Sequence, residues 1–188
     1  MASFTRKAIM ESCLRLLDER PVDKITVKDI VEDCGINRNT FYYHFEDLPS
    51  LISAIFIEDA DRIIQESLVI NSLWECFESV INFALKRRRV AMHVYHSSNR
   101  AVFEQQLFMI CKHTVTQYVE RVIADLGGVR IQEDDQRIII EAYSCECLGQ
   151  IINWLNSSMK ESFLQDMIRL CKLREGEVKE LLLRSTQI

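Results

Sequence analysis

The residues with the clearest potential for chemistry form a short polar run, RNTFYYH, at positions 38–44. At 100° per residue, Phe41 and the following Phe45 share one face of a helix, and Tyr43 points the opposite way. The other faces carry Asn, Arg, Thr, Tyr and His, without an acidic residue between 37 and 45. Such a surface contributes little to folding, but it suits hydrogen bonds to base edges and phosphates.

The alternative is that the aromatic residues of this run are all core residues. We expect burial for Phe41 and Phe45, which lie on one face. One helix cannot bury every side, so Tyr42 and Tyr43 are predicted to be exposed.

Two predicted helices position this run. Thr26 begins the first, because its hydroxyl can accept a hydrogen bond from an unpaired backbone N–H, and Asp29 can complete a capping box. Gly35 is placed to end that helix with positive φ, and Asn37 is placed to cap the second helix over 38–45. Two short helices joined by a glycine turn are typical of a helix-turn-helix, whose second helix enters the major groove.

The run ITVKDIVEDCGINRNTFYYHFEDLPSLI resembles the DNA-binding head of the TetR/AcrR family of bacterial regulators, over about residues 5–57. The resemblance implies a dimeric repressor with an all-helical second domain. It implies base contacts by Arg38 and Asn39, which follow the cap residue Asn37, and by Tyr43, which lies between the family's Tyr and His positions. The residues that it implies on phosphates are Thr26, Thr40, Tyr42 and His44.

Charge gives weaker support for DNA binding. The net charge is −5, and residues 1–45 carry seven basic and seven acidic side chains, so this head is neutral. Leu48 stands where many members of that family place a phosphate-binding lysine, so we expect that contact to be absent. The recognition helix contains no acidic residue, so its own contact with DNA is still expected to be favourable. Non-specific DNA binding by the neutral head is predicted to be modest.

Length and composition predict an all-α fold. The 188 residues can form one large or two small domains, and few residues are glycine (5) or proline (2). We predict an N-terminal three-helix head with a helix-turn-helix at 1–46, and a C-terminal helical bundle for regulation and dimerisation at 47–188.

The compartment is predicted to be the cytoplasm, without membrane association. The seven cysteines are an odd number and include no CxxC pair, as expected for a reducing compartment. Residues 1–10 lack the apolar core of a signal peptide, and no stretch reaches the roughly 18 apolar residues of a membrane helix.

The predicted helix over 133–159 is apolar on more than one side, which favours contacts on two faces. We expect this helix and the final segment, 162–184, to pair with their copies as a four-helix bundle; the alternative is a monomer core. A homodimer suits a palindromic operator, because two recognition helices must lie about 34 Å apart. The predicted interface comprises Ala142, Cys145, Gly149, Ile152, Phe163, Met167 and Leu170.

The middle helices are predicted to enclose any effector. Aromatic side chains, methionine and a few polar tips suit a small apolar or aromatic ligand, although the same residues could be simple core. The predicted lining comprises Phe77, Met92, Tyr95, His96, Phe108, His113, Tyr143 and Trp154, with Phe83, Phe103, Met109 and Tyr118 as further candidates.

No metal or other cofactor is predicted. His93, His96 and His113 could approach one another, but a zinc site would need further ligands that the sequence does not place.

The sequence therefore predicts a homodimeric transcriptional repressor that leaves its operator when an effector moves the fourth helix. One alternative is a DNA-binding regulator controlled by a protein partner, without a small effector. An enzyme is less favoured, since the chain contains no P-loop, dinucleotide fingerprint, HExxH or GxSxG motif.

Overall fold

The computed structural model describes residues 2–66, 72–127 and 130–185, and all regular structure in these ranges is helical, as predicted. None of the helices in these ranges is long and apolar enough to span a membrane. The α-helices are α1 (Ala2–Glu19), α2 (Val27–Cys34), α3 (Arg38–His44), α4 (Leu48–Glu66), α5 (Leu73–Lys86), α6 (Arg88–Tyr95), α7 (Arg100–Asp125), α8 (Glu133–Asn156), α9 (Glu161–Leu173) and α10 (Glu177–Ser185), with a 3-10 turn at Val22–Lys24.

The chain divides into two compact units. Unit 1 comprises Met1–Asp61 and Ala84–Gln106, and unit 2 comprises Arg62–Phe83 and Leu107–Ile188. The predicted head at 1–46 lies within unit 1, which also contains most of α4 and all of α6. The predicted domain boundary after residue 46 stays a prediction.

Unit 1 is built on the apolar face of α1. Ile9, Cys13 and Leu17 are buried at the i, i+4, i+8 spacing of one helical face. Burial raises the pKa of the Cys13 thiol to about 12, so this side chain packs as a small apolar group. The unit is closed by contacts of α1 with α2 and α6.

One of the α1–α6 contacts satisfies the end of a helix. The carbonyl of Leu17 would normally accept a hydrogen bond from residue 21, but Pro21 has no N–H. His93 of α6 places its Nδ1 2.6 Å from that carbonyl oxygen and donates the missing hydrogen bond. Next to α6, Arg87 forms an ion pair with Asp59 of α4.

Unit 2 has a core built from α5, α7, α8, α9 and α10. Ion pairs of Arg174 connect the turn between α9 and α10 to α8. The guanidinium of Arg174 pairs with Glu146 and Glu177, and it lies 4.9 Å from the ring centroid of Tyr143. The fully buried core residues include Cys76, Val80, Ile110, Cys111, Val115, Val119, Cys147, Ile151, Leu155 and Leu182.

The first prediction concerns the cap of α2. Thr26 accepts from the Asp29 N–H at 3.3 Å, and the Asp29 carboxylate accepts from the Thr26 N–H at 2.8 Å. Thr26→Ala should lower the free energy of unfolding by about 1 kcal/mol, whereas Thr26→Ser should keep most of the stability. Urea unfolding at neutral pH measures both changes.

The same cap should respond to acid. Hydrogen bonds from Thr26 hold the pKa of Asp29 below its ordinary value. A depressed pKa in the folded state stabilises the protein above the unfolded pKa, and this contribution is lost as the pH falls through the folded pKa. The stability difference between wild type and Thr26→Ala should therefore shrink on acidification below about pH 4. An equal difference at all pH values would contradict the reciprocal cap.

Candidate nucleic-acid interface

The turn between α2 and α3 has the predicted caps. Gly35 ends α2 at φ 68° and ψ 33°, and its N–H donates to the Glu32 and Val31 carbonyls. A Cβ built on Gly35 meets no atom within 4 Å, so the positive φ rather than crowding favours glycine here. The Asn37 side chain then accepts from the Thr40 N–H at 2.8 Å, which begins α3.

The inward face of α3 is aromatic. Phe41 and Phe45 are buried, with ring centroids 6.0 Å apart. The guanidinium of Arg6, on α1, lies 5.3 Å from the Phe45 ring centroid. These contacts fix the rotation of α3 about its own axis, and hence the face that meets solvent.

The outward face of α3 carries polar side chains, as predicted. Tyr43 is 79% exposed and Tyr42 is 54% exposed, although the Tyr42 ring also packs edge-on against Phe41 at 5.5 Å. Arg38 and Asn39 are exposed as well. His44 is half-buried, with its ring edge-on to Tyr43 at a centroid distance of 5.0 Å.

The two threonines differ from the rest of the predicted contact set. The Thr40 hydroxyl donates to Asn37 Oδ1 at 3.0 Å, and the Thr26 hydroxyl donates to the Asp29 carboxylate at 2.7 Å. A hydroxyl has one proton, so neither threonine has a free donor for a phosphate oxygen in this conformation. A phosphate contact by either residue requires the hydroxyl proton to turn away from its present acceptor, Asp29 or Asn37.

The remaining five predicted residues keep their hydrogen-bonding groups available. In the part of the chain that the structure describes, their side chains make no hydrogen bond or ion pair. They are Arg38, Asn39, Tyr42, Tyr43 and His44.

Two acidic side chains of the head are paired with basic residues, which reduces the negative charge near α3. Acidic side chains of α2 are engaged by basic residues, with Arg15 at 2.6 Å from Asp33 and Arg20 at 3.3 Å from Asp29. Asp47 caps α4 by accepting from the Ser50 N–H at 2.7 Å. Leu48 is half-buried in the place of the family's lysine.

A second feature of interest is an exposed line along α8. Ala142, Cys145 and Gly149 are all exposed, and Ile138, 55% exposed, extends the line by one turn. The spacing 138, 142, 145, 149 is that of one helical face. Ile138 is one of the apolar residues that led us to expect a second contact face on this helix, although it is not among the predicted interface residues.

The other residues of the predicted dimer interface are less accessible. Met167 is only 2% exposed, because the inward face of α9 packs within unit 2, so it belongs to the monomer core rather than to a free surface. Ile152, Phe163 and Leu170 are half-buried.

The predicted effector residues are divided between the units, five in unit 2 and Met92, Tyr95 and His96 in unit 1. Tyr95 is fully buried beneath the guanidinium of Arg100, 4.2 Å from its ring centroid, whereas His96 is exposed. A single pocket formed by all eight residues stays a prediction. Of the unit 2 residues, Phe77, Tyr143 and Trp154 are buried, and Phe108 and His113 are half-buried.

The histidines and cysteines of the described residues do not gather into a metal site. Within residues 2–66, 72–127 and 130–185, no group of three or more His, Cys, Asp or Glu side chains could hold a metal ion.

Comparison with known families places this geometry in context. Residues 9–55 match the family of bacterial regulatory proteins named tetR, and residues 71–173 match the family described as a transcriptional regulator C-terminal region. The second match alone covers more than half of the chain. The protein belongs to the TetR family of transcriptional regulators.

Curated relatives support the same assignment. The tetracycline repressor proteins of class D from Escherichia coli and class H from Photobacterium damsela subsp. piscicida are each 28% identical over 93 residues, covering 49% of this chain and 42% of theirs. An uncharacterised HTH-type transcriptional regulator of Bacillus subtilis (strain 168) is 31% identical over 93 residues, covering 50% of this chain and 23% of its own. The matched region therefore spans less than half the length of each relative.

A solved structure shows a similar fold. The dihydroxyacetone kinase operon activator DhaS superposes with a TM-score of 0.62 at 15% sequence identity. The match covers 97% of this chain and 96% of the other.

The contrast between the two faces of α3 predicts opposite effects on stability. Tyr43→Ala removes an exposed ring and should change the free energy of unfolding by less than about 0.5 kcal/mol. Phe41→Ala empties a fully buried site and should cost about 3–5 kcal/mol. Urea unfolding measures both changes, and a comparable loss for Tyr43→Ala would show that its ring packs inside the head.

Proposed function

We propose that this protein is a sequence-specific DNA-binding repressor in the cytoplasm, which binds a palindromic operator as a homodimer and is released by an effector. The observation that carries the proposal is the outward face of α3, with five side chains whose hydrogen-bonding groups are free. The names of two relatives, the tetracycline repressors, support a repressor. DhaS, in contrast, is an operon activator, so transcriptional activation is the alternative to repression.

The chemistry of α3 suits direct readout in the major groove. An arginine such as Arg38 can bind guanine O6 and N7 together, and an asparagine such as Asn39 can do the same for adenine N6 and N7. Tyr43, the most exposed of the α3 tyrosines, offers a ring and a hydroxyl to the same bases. These three side chains are proposed to read the operator sequence.

Phosphate contacts are proposed for the flanks of the same helix. The Tyr42 hydroxyl and the His44 ring have no competing hydrogen bond and can donate directly. Thr26 and Thr40 are proposed to join them only after their hydroxyls leave the caps of α2 and α3.

The homodimer is proposed to form through the exposed line of α8. Ala142, Cys145 and Gly149 are small, so a second backbone can approach closely along that line. Ile138 adds an apolar side chain that is otherwise exposed to water. A twofold axis along this face would present two copies of α3 to the halves of a palindrome.

Release is proposed to follow from a two-state equilibrium. α4 contains residues of both units, so a change in unit 2 can reach the head through a continuous helix. An effector weakens DNA binding only if it binds more tightly to the arrangement whose head spacing does not fit the operator.

A regulator controlled by a protein partner is the second candidate function. Exposed apolar side chains away from the α8 line favour it, in particular Leu173 at 75% exposure and Met109 at 46%. An enzyme is not proposed for a chain whose family regulates transcription.

DNA selection tests the function. Operators would be selected from randomised duplexes, and affinities then measured by fluorescence anisotropy at fixed salt. Tyr43→Ala should reduce discrimination at one or two base positions by about 1–3 kcal/mol, because a base contact is lost. Tyr42→Phe should weaken binding to all sequences alike by roughly tenfold, because one hydrogen bond to a charged phosphate is lost.

Leu173→Ala is the control, since it removes an exposed side chain of unit 2. It should leave the discrimination between operators and the overall DNA affinity unchanged. A wild-type protein that selects no sequence would refute the proposed function. Unchanged affinity in Tyr42→Phe would refute only the phosphate role of that tyrosine.

The dimer has a separate test at Gly149. A Cβ built on this residue meets no atom within 4 Å, so Gly149→Leu should leave the monomer folded while blocking close approach of a second α8. Analytical ultracentrifugation should show a shift from dimer to monomer, with loss of operator affinity. Ala101→Leu, at an exposed position of α7, is the matched control and should remain dimeric. A Gly149→Leu protein that stays dimeric would place the interface elsewhere.

A further inference from the structure

A cavity of about 260 Å³ lies within unit 2, between the start of α5, the C-terminal half of α7 and the end of α9. Of the residues that the sequence suggested as effector lining, Tyr118 alone contributes to it. Its walls combine two aromatic rings, Trp74 and Tyr118, with apolar surface from Leu73 and Ile168. Pockets for drug-sized ligands are about 300–1,000 Å³, so this cavity suits a smaller molecule.

The charged groups at the cavity differ in whether they are already engaged. Arg174 pairs with Glu146 and Glu177, so its charge is neutralised within the protein. Lys172 and Glu175 also line the cavity, and neither forms an ion pair with another residue in the described ranges. Among the described residues, the cavity wall thus carries one cation, Lys172, and one anion, Glu175, without an ion-pair partner.

The two charged residues lie on either side of the end of α9. α9 ends at Leu173, so Lys172 belongs to its last turn and Glu175 lies beyond it. The Lys172 carbonyl accepts from the Glu175 N–H at 3.4 Å, which makes a tight turn between them. Their side chains remain unpaired on the same cavity wall, although they are three residues apart.

The aromatic wall adds a neutral donor. Tyr118 has its pKa raised, first by burial and also by the nearby Cys76, Glu175 and Cys171. The hydroxyl therefore stays protonated at neutral pH and can donate a hydrogen bond. Its ring and that of Trp74 can contact a flat apolar group.

We propose that this cavity is the effector site and that it binds a small zwitterion with an aromatic side chain, of the class of the aromatic amino acids. The ligand ammonium faces Glu175, the ligand carboxylate faces Lys172, and the ring lies against Trp74 and Tyr118. The role of this ligand as an effector rests on the proposed function, whereas binding of the ligand to the cavity does not.

The free charges argue against simpler ligands. A ligand with only a carboxylate would bring like charge to Glu175, and one with only an ammonium would do the same at Lys172. A purely apolar ligand would cover both charges without replacing their hydration. A zwitterion satisfies both, and the aromatic walls select its side chain.

Binding is tested on the full chain without DNA. Calorimetry and tryptophan fluorescence, to which Trp74 and Trp154 both contribute, would be followed with three probes. The probes are L-phenylalanine, 3-phenylpropionate, which lacks the ammonium, and 2-phenylethylamine, which lacks the carboxylate. The wild type should bind L-phenylalanine, and each analogue should bind at least tenfold more weakly. Absence of binding by phenylalanine, tyrosine and tryptophan would overturn the proposal, as would equal binding of all three probes.

Two variants separate a charge contact from a structural role. Glu175→Gln should weaken L-phenylalanine binding at least tenfold and narrow the difference between L-phenylalanine and 3-phenylpropionate. Lys172→Met should narrow the difference between L-phenylalanine and 2-phenylethylamine. Glu180→Gln and Lys179→Met, on exposed positions of α10, are matched controls and should leave all affinities unchanged. Equal losses for all three probes in either variant would contradict the assigned charge contacts.

Operator binding then distinguishes the two proposals. Saturating L-phenylalanine should weaken the affinity of the wild type for its selected operator at least tenfold, and Glu175→Gln should abolish this response while binding the operator normally. If phenylalanine binds and operator affinity does not change, the cavity is not the effector site, while DNA recognition stands. If no operator is selected but phenylalanine binds, the proposed function fails and the ligand site stands.

Discussion

The burial of Phe41 and Phe45 is the constraint on which the candidate DNA interface depends. The two rings occupy one face of α3 and are removed from water, so α3 cannot rotate without exposing them. Exposing an aromatic side chain of this size costs several kcal/mol, which is a large part of the stability of a small domain. Burial of the aromatic face therefore keeps the polar face of α3 toward solvent. The candidate DNA interface depends on both faces.

In the head, polar side chains at the starts of the helices are already engaged in hydrogen bonds that cap those helices. Asn37 and Thr26 satisfy the free N–H groups at the starts of α3 and α2, and in doing so they engage both threonine hydroxyls. The side chains on the rest of α3 that are predicted to contact DNA make no such local hydrogen bond in the described part of the chain. Position relative to the helix start therefore separates the polar residues that cap the helices from those that remain available, since Asn39 is no longer than Asn37.

Unit 2 combines a tightly tied core with two accessible features. Arg174 joins α8 to the turn between α9 and α10 and contributes its charge entirely to that tie. The exposed line of α8 lacks long side chains at three of its four positions, which suits contact with another backbone. The cavity is different, because its walls are aromatic and its charges are unpaired, which suits a small ligand. The proposed dimer contact and the proposed ligand site therefore involve separate surfaces of one helical unit.

The sequence by itself determined the local features of this protein: the caps at Thr26 and Asn37, the left-handed Gly35, the two faces of α3 and the all-helical fold. These depend on residues within one or two turns of each other, so spacing and side-chain chemistry are sufficient to predict them. Tertiary structure alone decided that Met167 faces inward and that Trp74, Tyr118 and Glu175 line one cavity. Residues so far apart in the chain meet only through the packing of whole helices, and no local pattern records which helices will be neighbours.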